Sequence, residues 1–256
     1  MIELQGISKK FSGITVVNDV SFTVSPGEVL GYLGPNGAGK TTTIRMLAGL
    51  LEPSRGRILF HGRDIRDALQ AYKKRLGYVP EQSEIYPHLS AQEYLTMVGR
   101  LRGLPERALK AKIVEFLRVF DLDADMSDPI SSYSKGMRQK VLITAALLHD
   151  PDVLLFDEPM SGLDVTTSLV IRDLIKRLAL EKKAIIYSSH VLEVTEKVCS
   201  RVIILHQGRI VANDSVANLR HLMNLPSLAD IFSQLVVRED TAAAADRIVA
   251  AMRGRD

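Results

Sequence analysis

Residues 34–41 read Gly34-Pro35-Asn36-Gly37-Ala38-Gly39-Lys40-Thr41, a fit to G-x-x-x-x-G-K-[ST], with an apolar run at Val29 to Leu33 before it. Helical spacing through Ile44, Leu47 and Ala48 follows it, over Lys40 to Leu51. A short buried strand that empties into a glycine-rich loop and then a helix brings backbone N–H groups and the positive end of the helix dipole to one point. That point suits phosphate oxygens. Lys40 is then placed for the β and γ phosphates of a nucleoside triphosphate, and the Thr41 hydroxyl for Mg²⁺. The motif occurs once and no internal repeat accompanies it, so the chain is read as a single nucleotide-binding unit.

Val153 to Phe156 and Ala184 to Tyr187 are short continuous apolar runs, and between them Ile171, Leu174, Ile175 and Leu178 fall at i, i+3, i+4 and i+7. Alternating strand and helix implies an α/β fold with a mainly parallel sheet. Nearer the start, Ile14 to Val24 alternates loosely and Pro26-Gly27 marks a turn. Ser90-Ala91-Gln92-Glu93 is a capping box that opens a helix with one apolar stripe, Tyr94, Leu95, Val98 and Leu101, stopped by Gly103. A second helix carries Ile113, Leu117 and Phe120 inward. The block from Glu81 to Leu148 is therefore expected to be a helical subdomain inserted between strands of the sheet.

A length of 256 residues accommodates one core domain with such an insertion, and 46% hydrophobic residues exclude disorder for the bulk. The net charge of +3 is too small to argue for nucleic acid as a partner. No stretch approaches the ~18 to 20 apolar residues that cross a bilayer. Met1-Ile2-Glu3 lacks the order of a signal peptide, so the chain is expected to stay in the cytoplasm. Cys199 has no second cysteine to pair with and sits among the apolar residues of Val198 to Leu205, which suits core packing. From Arg238 to Asp256 large apolar residues are scarce, and the alanine run in Thr241 to Ala245 suggests a surface helix or a frayed end.

Val153-Leu154-Leu155-Phe156-Asp157-Glu158 puts two acids at the end of a buried strand. Next to a phosphate loop, Asp157 can hold a metal while Glu158 polarises a water for in-line attack; alone, the pair before Pro159 would suit helix capping equally well. Tyr133-Ser134-Lys135-Gly136-Met137 opens a helix with Ser134 as its natural N-cap and an inner stripe of Met137, Val141, Ala145 and Leu148, closed by Asp150-Pro151. The Ser134 hydroxyl and the amides after it form a second potential anion site. His190 follows the strand at Ala184 to Tyr187.

From Met1 to Leu222 the chain resembles the ABC ATPases, with Gly34 to Thr42 close to that family's phosphate loop. Tyr133 to Met137 stands where the family has its LSGGQ signature, Ser161-Gly162-Leu163-Asp164 looks like its D-loop, and Ser188-Ser189-His190 like its switch histidine. The resemblance implies a P-loop NTPase core with an N-terminal antiparallel β region, over residues 1–222, with the helical insertion at about 82–148 and a short helical tail at 223–256. It implies ATP and Mg²⁺ as ligands. It also implies a head-to-tail dimer, of two copies or with another ATPase subunit, in which Ser134 and Gly136 of one subunit close over the ATP on the phosphate loop of the other. His190 would then hold Glu158 and the water in register, and Phe11, which also suits a core position, looks like the aromatic that stacks on adenine.

There are three departures from the family pattern. The signature has Lys135 for glycine and Met137 for glutamine; Glu81, with Gln82 as the alternative, stands at the Q-loop position expected to sense Mg²⁺; and Gly162 replaces the usual alanine of the D-loop. The implied role is the ATP-hydrolysing subunit of a transporter, bound to the cytoplasmic face of the membrane through a separate permease. Ser227 to Phe232 looks like the ending of ABC-2 exporter subunits. The rival is a soluble ABC ATPase acting on a protein scaffold, as in iron-sulfur assembly.

Overall fold

The computed structural model of the protein describes residues 1–82, 85–236 and 241–252. The chain begins with strands β1 (Ile2–Phe11), β2 (Ile14–Val24) and β3 (Val29–Leu33), then helix α1 (Lys40–Leu47), strands β4 (Arg55–Phe60) and β5 (Arg63–Asp64), helix α2 (Leu69–Lys73) and strand β6 (Leu76–Val79). Helices α3 (Ala91–Leu101), α4 (Glu106–Val119) and α5 (Lys135–Leu147) follow. After them come β7 (Val153–Asp157), α6 (Val165–Leu180), β8 (Ala184–Ser188), α7 (Leu192–Val198), β9 (Arg201–His206) and β10 (Arg209–Asp214). Helices α8 (Val216–Met223), α9 (Leu228–Val236) and α10 (Thr241–Met252) complete the order.

A six-stranded sheet runs β10-β9-β3-β8-β7-β6, and a four-stranded sheet runs β2-β1-β4-β5. The smaller sheet is antiparallel throughout, while in the larger one only the β9–β10 hairpin is antiparallel. Every residue of β3, β7 and β8 is buried, as expected for parallel strands covered on both faces. Successive side chains divide between two cores. Leu30, Tyr32, Leu155, Ile186 and Ile203 pack toward α1 and the antiparallel sheet. Leu154, Phe156, Ile185, Tyr187 and Ile204 face the helical side, where Cys199 is also buried. Helices α3 to α5 lie in sequence between β6 and β7, which are neighbours in the larger sheet.

Three local expectations need correction. Helix α1 stops at Leu47 rather than Leu51, because Gly49 turns left-handed at φ +63° and the Leu50 N–H closes back on the Arg45 carbonyl, a Schellman-type ending. Leu101 is not part of the buried stripe of α3; it is 75% exposed. The buried line is Ala91, Leu95 and Gly99, at four-residue spacing, since α4 approaches so closely that Leu109 fills the space beside Gly99. Helix α5 is buried almost all round from Gln139 onward instead of along one stripe.

The capping box at Ser90 and Glu93 forms in both directions. Ile113, Leu117 and Phe120 are buried. Helix α9 joins the core through Leu228 and Ile231, while Ile248 and Met252 of α10 are exposed. Of the sparsely apolar end singled out from the sequence, residues 238–240 and 253–256 lie outside the described residues.

The burial pattern separates two leucines on one helix. Leu95→Ala is expected to cost about 2–5 kcal/mol and Leu101→Ala under about 0.5 kcal/mol, measured by denaturant unfolding; equal losses would contradict the packing of α3 through Leu95.

Candidate nucleotide site

Strand β3 delivers the chain into the loop 34–39, and α1 starts at Lys40. Gly39, the residue before the helix, sits at φ +104°, and a Cβ there would fall 2.8 Å from the Val16 carbonyl oxygen. Only glycine meets both demands. No side chain caps α1 and no acid lies in its first turn, so its free N–H groups are directed into the loop mouth. Ala38 is buried and its N–H closes a turn on the Pro35 carbonyl, while Asn36 and Gly37 are exposed at the rim. The Lys40 ammonium donates to the carbonyls of Gly34 (2.7 Å) and Pro35 (3.2 Å). Burial lowers its pKa, opposed by the charges of Glu158, Asp157 and Glu81.

One polar cleft is lined by loop residues 36, 37 and 39–42 together with Val16, Glu81, Asp157, Glu158 and His190. Residues far apart in sequence meet here because β7 and β8 pair in parallel with Asp157 opposite Ser188. Asp157 is 1% exposed, and neither its Oδ2 nor the Ser188 hydroxyl has a hydrogen-bond partner. Burial pushes the Asp157 carboxyl up to about 6, and the nearby charges of Glu81 and Glu158 act in the same direction. The Thr41 hydroxyl donates to Glu81 Oε2 at 3.5 Å. An orphaned carboxylate oxygen, a hydroxyl and a second carboxylate are hard oxygen donors that fit Mg²⁺. Among the described residues no group of three or more His, Cys, Asp or Glu could hold a metal unaided, so such a cation would complete its shell with phosphate and water.

Glu158, just past the end of β7, adopts φ +52°, a left-handed conformation unusual for a residue with a side chain. Its N–H donates to the Ser188 carbonyl at 3.0 Å. The carboxylate Oε2 lies 2.9 Å from His190 Nδ1 and accepts from the Ser189 hydroxyl at 3.3 Å. The glutamate side chain is 12% exposed and the histidine 74% exposed, so the pair joins a shielded acid to a ring open to solvent.

Other residues singled out from the sequence lie elsewhere. Gln82 lines a neighbouring cleft with Arg45 and Tyr78, whereas Glu81 lines both clefts. Ser134 caps α5, its hydroxyl accepting from the Met137 N–H at 3.2 Å, and neither it nor Gly136 lines the cleft of its own chain. Phe11 is 42% exposed at the end of β1 with the Lys9 ammonium 5.3 Å over its ring, also outside the cleft lining. Sequence reasoning missed Val16. Its only signal was a place in the loosely alternating run of β2, and its contact with Gly39 depends on the antiparallel sheet folding over the loop.

The sequence profile of the ABC transporter family matches residues 17–161. The ABC transporter ATP-binding protein NatA of Bacillus subtilis is 40% identical over 243 residues, covering 93% of this chain and 99% of that protein. Nod factor export ATP-binding protein I of Paraburkholderia xenovorans is 35% identical over 218 residues, 85% of this chain and 72% of its own. A solved structure described as the ATP-binding subunit of an ABC transporter superposes with a TM-score of 0.87 at 32% identity, covering 92% of this chain and 99% of its own. With a profile match across more than half its length and a full-length relative at this identity, the chain belongs to the ABC transporter family, as one of its ATP-binding, ATP-hydrolysing subunits.

Proposed function

We propose that this subunit closes head to tail with a second copy, or with a related ATPase subunit, around two MgATP, and that hydrolysis and reopening drive a separate membrane permease. The observation that carries the reading is the 2.9 Å pairing of Glu158 with His190 in the same cleft as Lys40 and Thr41. Glu158 takes a proton from the attacking water while His190 keeps its carboxylate turned toward the γ-phosphate. Residues 34–39 and Thr42 wrap the phosphates, and Lys40 is their cation. Thr41, Asp157 and Glu81 would hold Mg²⁺, which when bound neutralises charge on the β and γ oxygens; Glu81 is chosen over Gln82 for its contact with Thr41.

Ser134 and Gly136 lie outside the cleft of their own chain, which supports the head-to-tail arrangement in which they close over the partner's nucleotide. Phe11 supplies the exposed ring for adenine. In this reading residues 1–222 form the ATPase domain, the helical insertion at about 82–148 faces the permease, and 223–256 is a tail. No helix among the described residues is long and apolar enough to cross a membrane. In this reading the permease holds the subunit at the cytoplasmic face. Export is the favoured direction, supported by the name of the Nod factor relative and by the ending Ser227 to Phe232.

MgATP at ~100 times its dissociation constant is expected to add about 2.7 kcal/mol of apparent stability, read as a thermal shift that Lys40→Ala abolishes. An unchanged shift in that variant would remove the loop from the binding role. Glu158→Gln is expected to bind ATP but turn it over at least ~100-fold more slowly, and to accumulate as a dimer in light scattering; hydrolysis at the parental rate would exclude Glu158 as the base. Asp157→Asn removes a charge that burial disfavours. The nucleotide-free variant should therefore melt at a higher temperature than the parent while losing Mg²⁺-dependent turnover, and a lower melting temperature would contradict this account of the site.

A further inference from the structure

Two of the departures from the family pattern, Lys135 in the signature and Gly162 in the D-loop, meet in space. The Lys135 ammonium donates to the Ser161 hydroxyl at 2.7 Å, across 26 residues of sequence. Its methylene stem runs over Gly162, where a Cβ would fall 2.9 Å from Lys135 Cγ and Cδ. Gly162 is left-handed at φ +78°, so glycine there serves both the turn and the lysine. Next along α5, a Cβ at Gly136 would lie 2.7 Å from the Gly162 carbonyl oxygen. The N-terminus of α5 therefore rests directly on the backbone of the D-loop.

The same D-loop is tied to the base. Its Ser161 N–H closes a turn on the Glu158 carbonyl at 3.1 Å. Lower on α5, the buried Gln139 amide donates to the Pro159 carbonyl at 3.0 Å. A continuous path thus runs from Ser134 at the tip of α5, through Lys135 and Ser161, to Glu158, whose left-handed backbone fixes where its carboxylate points.

We propose that Lys135 is a positioning residue that locks the D-loop to the N-terminus of α5, so that Ser134 and Glu158 of one subunit move as one body. The proposal rests on the head-to-tail reading, in which Ser134 closes over the partner's nucleotide while Glu158 serves its own. Seating of Ser134 at one site then aligns the base at the other, and Lys135 couples the two hydrolytic events. The lysine is exposed, and so contributes little to stability; its effect lies in geometry.

The test uses full-length Lys135→Met, which keeps the stem and loses the ammonium, with Ser161→Ala, the double variant and Lys135→Arg. Steady-state hydrolysis is measured against ATP concentration, alongside thermal melting. Each single variant is expected to lower kcat roughly three- to tenfold. KM for ATP should stay within about twofold, the melting temperature should not change, and the Hill coefficient should fall toward one. The double variant should be no slower than either single, and Lys135→Arg should recover at least half of the lost rate. Parental kcat in the single variants, or losses that multiply in the double, would overturn the proposal. Light scattering of Glu158→Gln with ATP separates the two layers: a protein that stays monomeric overturns the head-to-tail reading and the coupling with it, whereas a normal dimer with unaltered Lys135→Met kinetics overturns the coupling alone.

Discussion

Parallel pairing of β3, β8 and β7 fixes everything that follows, because it sends three chain segments out of the same edge of one sheet. The register Asp157 opposite Ser188 leaves Glu158 and Ser189-His190 emerging side by side, and β3, the neighbour of β8 on its other side, emerges next to them into the glycine loop. A slip of one residue along β7 would turn Asp157 to the other face of the sheet and bury Leu155 on the wrong side. The apolar side chains of these strands, divided between two cores, hold that register against a site whose own groups oppose it.

That opposition is local and has identifiable sources. Asp157 carries its carboxyl into a buried place with one oxygen unpartnered, Glu158 holds a backbone angle disfavoured for a residue with a Cβ, and Lys40 is a partly buried cation. The three lie within one cleft, where the buried carboxylate suits a cation and the ammonium suits a phosphate. Stability supplied by the strands is what allows this concentration of unfavourable charge and backbone conformation.

What the sequence revealed and what it withheld follow from the range of the interactions. The phosphate loop, the Ser90–Glu93 capping box and the strand that ends in two acids are written in contiguous residues, so their chemistry is legible without the fold. The end of α1 hung on whether Gly49 would turn left-handed, and spacing alone does not report that. Leu101 and Gly99 exchanged roles because burial on α3 is set by where α4 crosses it, and the close fit of Leu109 at Gly99 is a tertiary fact. Val16 in the cleft, and the meeting of Lys135 with Gly162, likewise depend on segments distant in sequence; the two substitutions were visible separately, but not that one makes room for the other.

Cys199, beneath the central strand, has a practical consequence. It is the only cysteine, it is 9% exposed, and its sulfur would lie 3.1 Å from a Cβ placed on Gly31, so α7 and β3 enclose it. Burial pushes its thiol well above the ordinary range, away from the nucleophilic thiolate. The unaltered protein is thus nearly silent to maleimides and mild oxidants while folded. A single cysteine introduced on the surface can carry a fluorophore or spin label against that quiet background, and late labelling of Cys199 itself would serve as a clock for local opening around β3 and α7.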